Sequence, residues 1–292
     1  MRYLCVVVFV VALAGCGGSG ERIGGGTGGD GDLIAFSRQA TPSGLFQIYT
    51  IHRDGSHEKL LTDPANTNLG ASLDHSGTKI VFASQRGGIE EIYKMKADGS
   101  NQVAITNLSG INDKPSWSPD GTKVVFDHSV GSGEDIFVVN IDGSGLTPLT
   151  SDEKSEFARF SPNGTKIVFD STRTGGGEIW TMNADSTNQT QVTHHPGAGE
   201  ACFSADGSKI FYSMPDLTVW CINVDGTNDV KLTPAGEADA LPVASQDGQT
   251  IVFAHRLATG IYDICTMNVD GSNRQLVYHN ELDSFYACFP SP

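Results

Sequence analysis

One unit recurs along this chain and constrains its fold more than any other feature. An apolar residue, a small polar pair, a glycine, a basic or polar residue and an apolar run appear as LDHSGTKIVF from Leu73, WSPDGTKVVF from Trp117 and FSPNGTKIVF from Phe160. Looser copies follow as FSADGSKIFY from Phe203 and ASQDGQTIVF from Ala244. Their glycines, Gly77, Gly121, Gly164, Gly207 and Gly248, fall 41 to 44 residues apart. A second marker keeps the same beat in the pairs Asp54-Gly55, Asp98-Gly99, Asp142-Gly143, Asp185-Ser186, Asp225-Gly226 and Asp270-Gly271. A period of 40 to 45 residues holding several short strands signals propeller blades rather than helical repeats.

Each unit reads as four strands. In the copy at Trp117 the first strand ends on the aromatic, and Ser118-Pro119-Asp120-Gly121 makes a tight turn in which proline presets φ and glycine takes the difficult position. Lys123 to Phe126 is a buried second strand, Asp135 to Asn140 a third, Asp142-Gly143 a hairpin turn, and Leu146 to Thr150 a fourth. Related fourth-strand endings recur at Leu61-Thr62, Ile105-Thr106, Val192-Thr193 and Leu232-Thr233. No helix of useful length fits. The run from Asp32 to Phe36 matches a second strand and that from Phe285 to Pro290 a first strand, so one blade is split between the two ends. Dividing residues 32–292 by the repeat length gives six blades. The expected fold is an all-β, six-bladed β-propeller of four-stranded antiparallel blades, its ring closed by the C-terminal strand beside the N-terminal ones, which hides the edges an open array would expose.

The combination WSPDGTKVVF, EDIFVVNIDGSG and LTPLT resembles the repeats of the TolB family, WD40-like (PD40) propeller repeats common in bacterial envelope proteins. The resemblance spans residues 32–292. It departs from TolB in lacking that protein's separate N-terminal domain, so TolB's own partners are not carried over. The repeat specifies a fold far better than a function.

The chain carries 34 acidic against 19 basic side chains, a formal charge of -15, which disfavours nucleic acid as a partner because phosphate binding needs a positive footprint. Thirty-five glycines and a hydrophobic fraction of 38% argue against a polytopic membrane protein. Met1 and Arg2 precede an apolar run, Leu4 to Leu13, too short to span a bilayer as a helix, and Leu13-Ala14-Gly15-Cys16 closes it with small residues. This start resembles a bacterial lipoprotein signal, which implies removal of residues 1–15 and lipidation of Cys16; an ordinary secretory signal is the alternative. Residues 16–31 continue as a glycine-rich tether. The expected location is the cell envelope, lipid-anchored in the outer membrane facing the periplasm or at the cell surface. Export permits disulfides, but Cys202, Cys221, Cys265 and Cys288 show no CxxC or Cys-His spacing and read best as small buried hydrophobes.

In an antiparallel meander alternate connections fall on alternate faces. The SPDG and Asp-Gly turns therefore share one regular face, and the opposite face carries variable loops such as 38–46, 127–134 and 170–177, where binding is expected. First strands begin on that variable face. Asp113, Glu156, Glu200, Asp239 and Asp283 stand at their starts, with Asn68 in the remaining blade, so the channel mouth is expected to hold an acidic ring able to attract a cation such as calcium. An acidic protein also places such residues everywhere. His128, His194, His195, His255 and His279 fall on the same face. Some TolB-like propellers are polysaccharide lyases using histidines and a metal, so the resemblance also implies a metal-assisted carbohydrate-active enzyme as an alternative; no HExxH or GxSxG is present. Arg38, Arg86, Arg173 and Arg256 recur after second strands and suggest blade-to-blade contacts, while Lys79, Lys123, Lys166 and Lys209 read as solvated strand ends. The functional expectation is a monomeric, lipid-anchored binding or scaffolding module for an envelope protein or glycan, with no certain cofactor.

Overall fold

A computed structural model describes residues 33–41, 44–279 and 284–290. Among these the chain forms six four-stranded antiparallel sheets. Blade 1 contains β1 (Leu33–Gln39), β2 (Phe46–His52) and β3 (Lys59–Leu60); blade 2 contains β4 (Asn68–Leu73), β5 (Lys79–Ser84), β6 (Glu91–Lys96) and β7 (Val103–Ala104). Blade 3 follows with β8 (Ile111–Trp117), β9 (Lys123–Ser129), β10 (Asp135–Asn140) and β11 (Thr147–Pro148), and blade 4 with β12 (Ser155–Phe160), β13 (Lys166–Ser171), β14 (Glu178–Asn183) and β15 (Thr190–Gln191). Blade 5 is β16 (Gly199–Phe203), β17 (Lys209–Met214), β18 (Thr218–Asn223) and β19 (Val230–Lys231); blade 6 is β20 (Asp239–Ala244), β21 (Thr250–Arg256), β22 (Tyr262–Asn268) and β23 (Gln275–Tyr278). The last strand, β24 (Ser284–Cys288), pairs with β1 and completes blade 1. Pro290 then bridges to Leu73 of blade 2. The split blade and the count of six are as the repeat predicts. Among the described residues no helix is long and apolar enough to cross a membrane.

Second strands are apolar runs rather than alternating ones because each blade is sandwiched between two others, so both faces are covered. Val124, Val125 and Phe126 of β9 are all fully buried. One aromatic stands at the same register in every second strand: Phe36, Phe82, Phe126, Phe169, Tyr212 and Phe253, all with zero exposure. The threonine that recurs after the fourth strands of blades 1 to 5 ties each of those strands to the start of the third. Thr62, Thr106, Thr150, Thr193 and Thr233 accept the N–H of Ile48, Ile92, Ile136, Ile179 and Val219 at 2.8–2.9 Å. Four of these hydroxyls donate onward to Gln47, Glu91, Asp135 and Glu178. The tight turns close as expected, with Gly121 at φ 68 donating to the Ser118 carbonyl. All four cysteines of the body are buried and none is joined in a disulfide.

Each first strand of blades 2 to 6 is interrupted by a bulge with a left-handed residue: Gly70, Lys114, Phe157, Glu200 and Leu241, with φ between 50° and 63°. The bulge aims an N–H away from its own sheet, and the preceding blade supplies an acceptor. Ser37 Oγ takes Gly70 N–H at 3.1 Å, Asp127 takes Phe157 N–H at 2.9 Å, Asp170 takes that of Glu200, and Ser213 takes Leu241 N–H at 2.9 Å. Blade 2 has Ala83 at this register and offers Lys114 no such partner.

The Ser37→Ala substitution strands the buried Gly70 N–H at the seam of blades 1 and 2. A loss of about 1–3 kcal/mol is expected in urea unfolding, read as a lower midpoint at unchanged slope; an unchanged midpoint would show that the seam does not depend on this bond.

Candidate functional site at the channel mouth

The acids expected to ring the mouth do not share one register. Asp113 and Glu156 are equivalent, pairing with Asp127 and Asp170 of their second strands. Glu200 stands one place further along, at the bulge, and its side chain accepts Leu241 N–H at 3.2 Å. Asp239 stands one place earlier, opposite His255, where blade 3 has Asn112 and blade 2 has Asn68. Asp239 is turned into its own blade, 2.5 Å from Arg274 and 2.9 Å from His255, and does not belong to a ring. The physical reason is spacing: Asp113 and Glu156 stand four residues before the end of the repeat's first strand, Glu200 three and Asp239 five, and neighbouring strand positions point to opposite sides. Asp283 and Cys16 lie outside the described residues. An arc on blades 3 to 5 replaces the expected ring.

The arc is organised around a residue the sequence hides, Lys114. Its ammonium lies 2.6 Å from Glu134, 2.8 Å from Glu156 and 3.2 Å from Asp127, and 4.3 Å from the centre of the Phe157 ring. The left-handed backbone at Lys114 sends this side chain across the seam from blade 3 toward blade 4. Burial pulls the lysine down, but attraction from Asp127, Asp113, Glu156 and Glu134 outweighs it and holds Lys114 well above its ordinary value. Burial pushes Asp127 well up, against the pull of Lys114; its Oδ1 is buried without a hydrogen-bond partner. Asp113 is raised by burial, and Glu134 is raised to about 7 by burial, opposed by Lys114. Asp170 repeats the pattern one blade on, raised by burial, with Oδ1 again unpartnered. Asp113, Asp127 and Glu134 bring carboxylate oxygens within 4.8 Å of one another, hard donors of the kind calcium takes. The ammonium of Lys114 already touches two of them, so an incoming cation would compete with the chain's own.

The histidines are dispersed. His128 bonds Asn112 at 2.8 Å in blade 3 and packs on Phe137. His195 contacts Asp229 at 2.5 Å beside Tyr212 and Trp220 in blade 5, and His194 is exposed. His255 joins Asp239 and Arg274, while His279 bonds Asp263 at 2.8 Å, both in blade 6. Among the described residues no cluster of three candidate metal ligands includes a histidine. Among the recurring arginines Arg38 does cross between blades, bonding and stacking on Tyr278 of blade 6, and three of them also act within their own blades. Arg38 stacks on Tyr49, Arg86 on Tyr93 and Arg173 on Trp180, each inside its own sheet, and Arg86 and Arg173 bind Gln102 and Gln189 before the fourth strand. Asp127 and Asp170 prove to be strand residues rather than loop starts. The signal that could have exposed them was their place in a buried run where other blades carry Ser37, Ala83, Ser213 and Ala254.

Six identical sheets around a channel, short turns on one face and longer loops on the other, define a six-bladed β-propeller repeat protein. The TolB beta propeller domain family (PD40) matches residues 28–171 and 154–290, and the chain belongs to that family. TolB from Acinetobacter baumannii superposes with a TM-score of 0.80 at 24% identity, covering 90% of this chain and 68% of that one. A TolB candidate from Agrobacterium tumefaciens gives 0.71 at 18% identity over 84% and 88% of the two chains. An oligogalacturonate lyase solved with manganese gives 0.60 at 13% identity over 86% and 75%. These are likenesses of fold. No curated protein matches the chain.

Raised carboxyl values have a definite sign. Glu134 holds its proton in the folded state up to about pH 7 but only to its ordinary value of 4.5 when unfolded. Its contribution is therefore full below pH 4.5 and is lost as pH rises through about 7; Asp113 and Asp127 act in the same direction. The melting temperature is expected to be higher at pH 5 than at pH 7.5, with the difference reduced in Glu134→Gln. The Lys114→Met variant leaves Asp127 buried without its cation and is expected to cost about 3–5 kcal/mol at pH 7.5 by urea unfolding. A loss below about 1 kcal/mol in Lys114→Met would contradict the network.

Proposed function

We propose that this protein is a lipid-anchored module of the bacterial cell envelope whose rigid ring presents the variable-face loops to a protein partner. The observation that carries the reading is membership of the TolB propeller family over essentially all of residues 28–290, combined with the Leu13-Ala14-Gly15-Cys16 sequence ahead of a glycine-rich stretch. Cys16 fixes the molecule to a membrane, residues 17–31 give it reach, and the disc presents loops on a scaffold that hardly deforms. The variable face also offers apolar contact: Val130 is 71% exposed and Ile89 46%, in the loops after the second strands of blades 3 and 2. Such side chains beside a charged mouth suit protein recognition, in which apolar contacts carry energy and charge sets orientation. A glycan remains the second partner class. The metal-assisted lyase alternative has weaker support, since four of its five histidines keep separate partners in three blades and His194 is exposed.

Two measurements test this. The full chain is expected in the membrane fraction of expressing cells, and Cys16→Ala is expected to move it to the soluble envelope fraction still folded; a membrane-bound variant would overturn the anchor. A photo-crosslinking residue at position 130 is expected to capture a discrete protein adduct in cells, and one at position 163, on the regular-turn face, to capture none. The reverse pattern would place recognition on the opposite face.

A further inference from the structure

Toward the regular-turn face, the channel narrows to a cavity lined by one equivalent first-strand residue from every blade: Cys288, Ser72, Ser116, Arg159, Cys202 and Val243. Five of these positions are uncharged. Arg159 alone carries a charge, and it is not neutralised. Four other arginines have carboxylate partners, Arg38 with Glu58, Arg53 with Asp247, Arg173 with Asp152 and Arg274 with Glu237, and Arg86 has Gln102, while Arg256 at the end of β21 has none among the described residues. Among the described residues Arg159 has no hydrogen-bond acceptor and no carboxylate within 4.0 Å. The Ser72 and Ser116 hydroxyls, two blades and one blade from Arg159 along the ring, likewise have no side-chain hydrogen bond to protein. Three donors without a protein partner thus line one cavity.

The walls around them are apolar, with the Trp117, Phe160, Phe203 and Phe289 rings among the lining. A guanidinium held in such surroundings without a counter-charge favours uptake of an anion, and its planar fork matches a carboxylate oxygen pair. The positive charge reaches across the channel, because it is felt by the thiols of both Cys202 and Cys288. Size restricts the ligand further. The enclosed space is about 30 Å³, enough for one or two waters or a carboxylate head but not for a sugar ring.

We propose that the propeller channel binds a carboxylate at Arg159, with the Ser72 and Ser116 hydroxyls donating to the same group. The site lies toward the face opposite the acid arc, although the Arg159 charge is also felt by the Glu200 carboxyl of that arc, and it does not depend on the anchor or on the partner face. The carboxylate can come from a free small acid or from an acidic side chain of a polypeptide; the volume favours the free acid.

The test is titration of the full chain with sodium formate at ionic strength held constant with sodium chloride. Binding is read calorimetrically and by the indole N–H resonance of Trp117, which lines the cavity. Saturable one-to-one binding is expected, weakened roughly tenfold or more in Arg159→Gln and partly restored in Arg159→Lys. The Ser72→Ala/Ser116→Ala pair keeps the charge and is expected to weaken binding by a smaller factor, so the proposal stays testable if Arg159→Gln does not fold. N-acetyl-aspartate methylamide separates the sources: weaker binding than formate marks a free acid, and tighter binding a peptide-borne carboxylate. Absence of saturable formate binding in the wild type, or equal affinity in Arg159→Gln, would overturn the site.

Discussion

The hydrogen bond that crosses four of the blade seams sets the terms for the rest of this molecule. A bulge in the first strand points a backbone N–H out of its own sheet, where burial makes an unpaired donor costly. The neighbouring blade answers with a short polar side chain at one fixed register. A serine there, as at Ser37 and Ser213, satisfies the donor with nothing left over. An aspartate, as at Asp127 and Asp170, satisfies it with one oxygen and leaves a second oxygen buried and alone. Charge at the channel mouth follows from that choice: Lys114 faces the seam that Asp127 occupies, and Glu134 and Glu156 gather about the same ammonium. The electrostatics of the mouth is thus a consequence of how two blades are joined.

The channel consequently has unlike ends. At the variable face, acids outnumber the single lysine among them, and burial raises Asp113, Asp127 and Glu134 above the ordinary carboxylate range. Toward the regular turns, an arginine stands among hydroxyls, thiols and aromatic rings. A sixfold backbone carries no such difference; it enters through substitutions at two registers, Asp113-type and Arg159-type, that the repeat leaves unconstrained.

Most of the architecture was legible in the sequence because it is carried by residues with one structural use. Glycines at Gly77, Gly121 and Gly164 fix turns, the threonines after the fourth strands fix the third, and the apolar second strands fix burial on both faces. The split blade followed from strand types at the two ends. The site was less legible because acids one position apart along a first strand point to different sides. Counting back from Phe160 and Ala244 pairs Glu156 with Ala240, and Asp239, one place earlier, faces into blade 6. Lys114 escaped notice beside Asp113, and Arg159 because it occupies a position where other blades carry serine, cysteine or valine. The arginines after second strands read as structural; Arg38, Arg86 and Arg173 fold back over the third-strand aromatic of their own blade, and Arg38 also reaches Tyr278 of blade 6.

Closure by β24 also imposes an order on events in time. Strand β1 is among the first of the ring to be synthesised, and its partner appears about 250 residues later. At bacterial translation speeds of about 5–20 residues per second, that interval is on the order of ten to fifty seconds. Through it, blade 1 holds an apolar edge with nothing to pair, and Ile34, Ala35 and Phe36 await a core that also needs Ala287, Cys288 and Phe289. Blades 2 to 6 are each contiguous in sequence and can form in turn as they emerge. The ring is therefore assembled as an open arc and becomes a single cooperative body only when its final strand arrives.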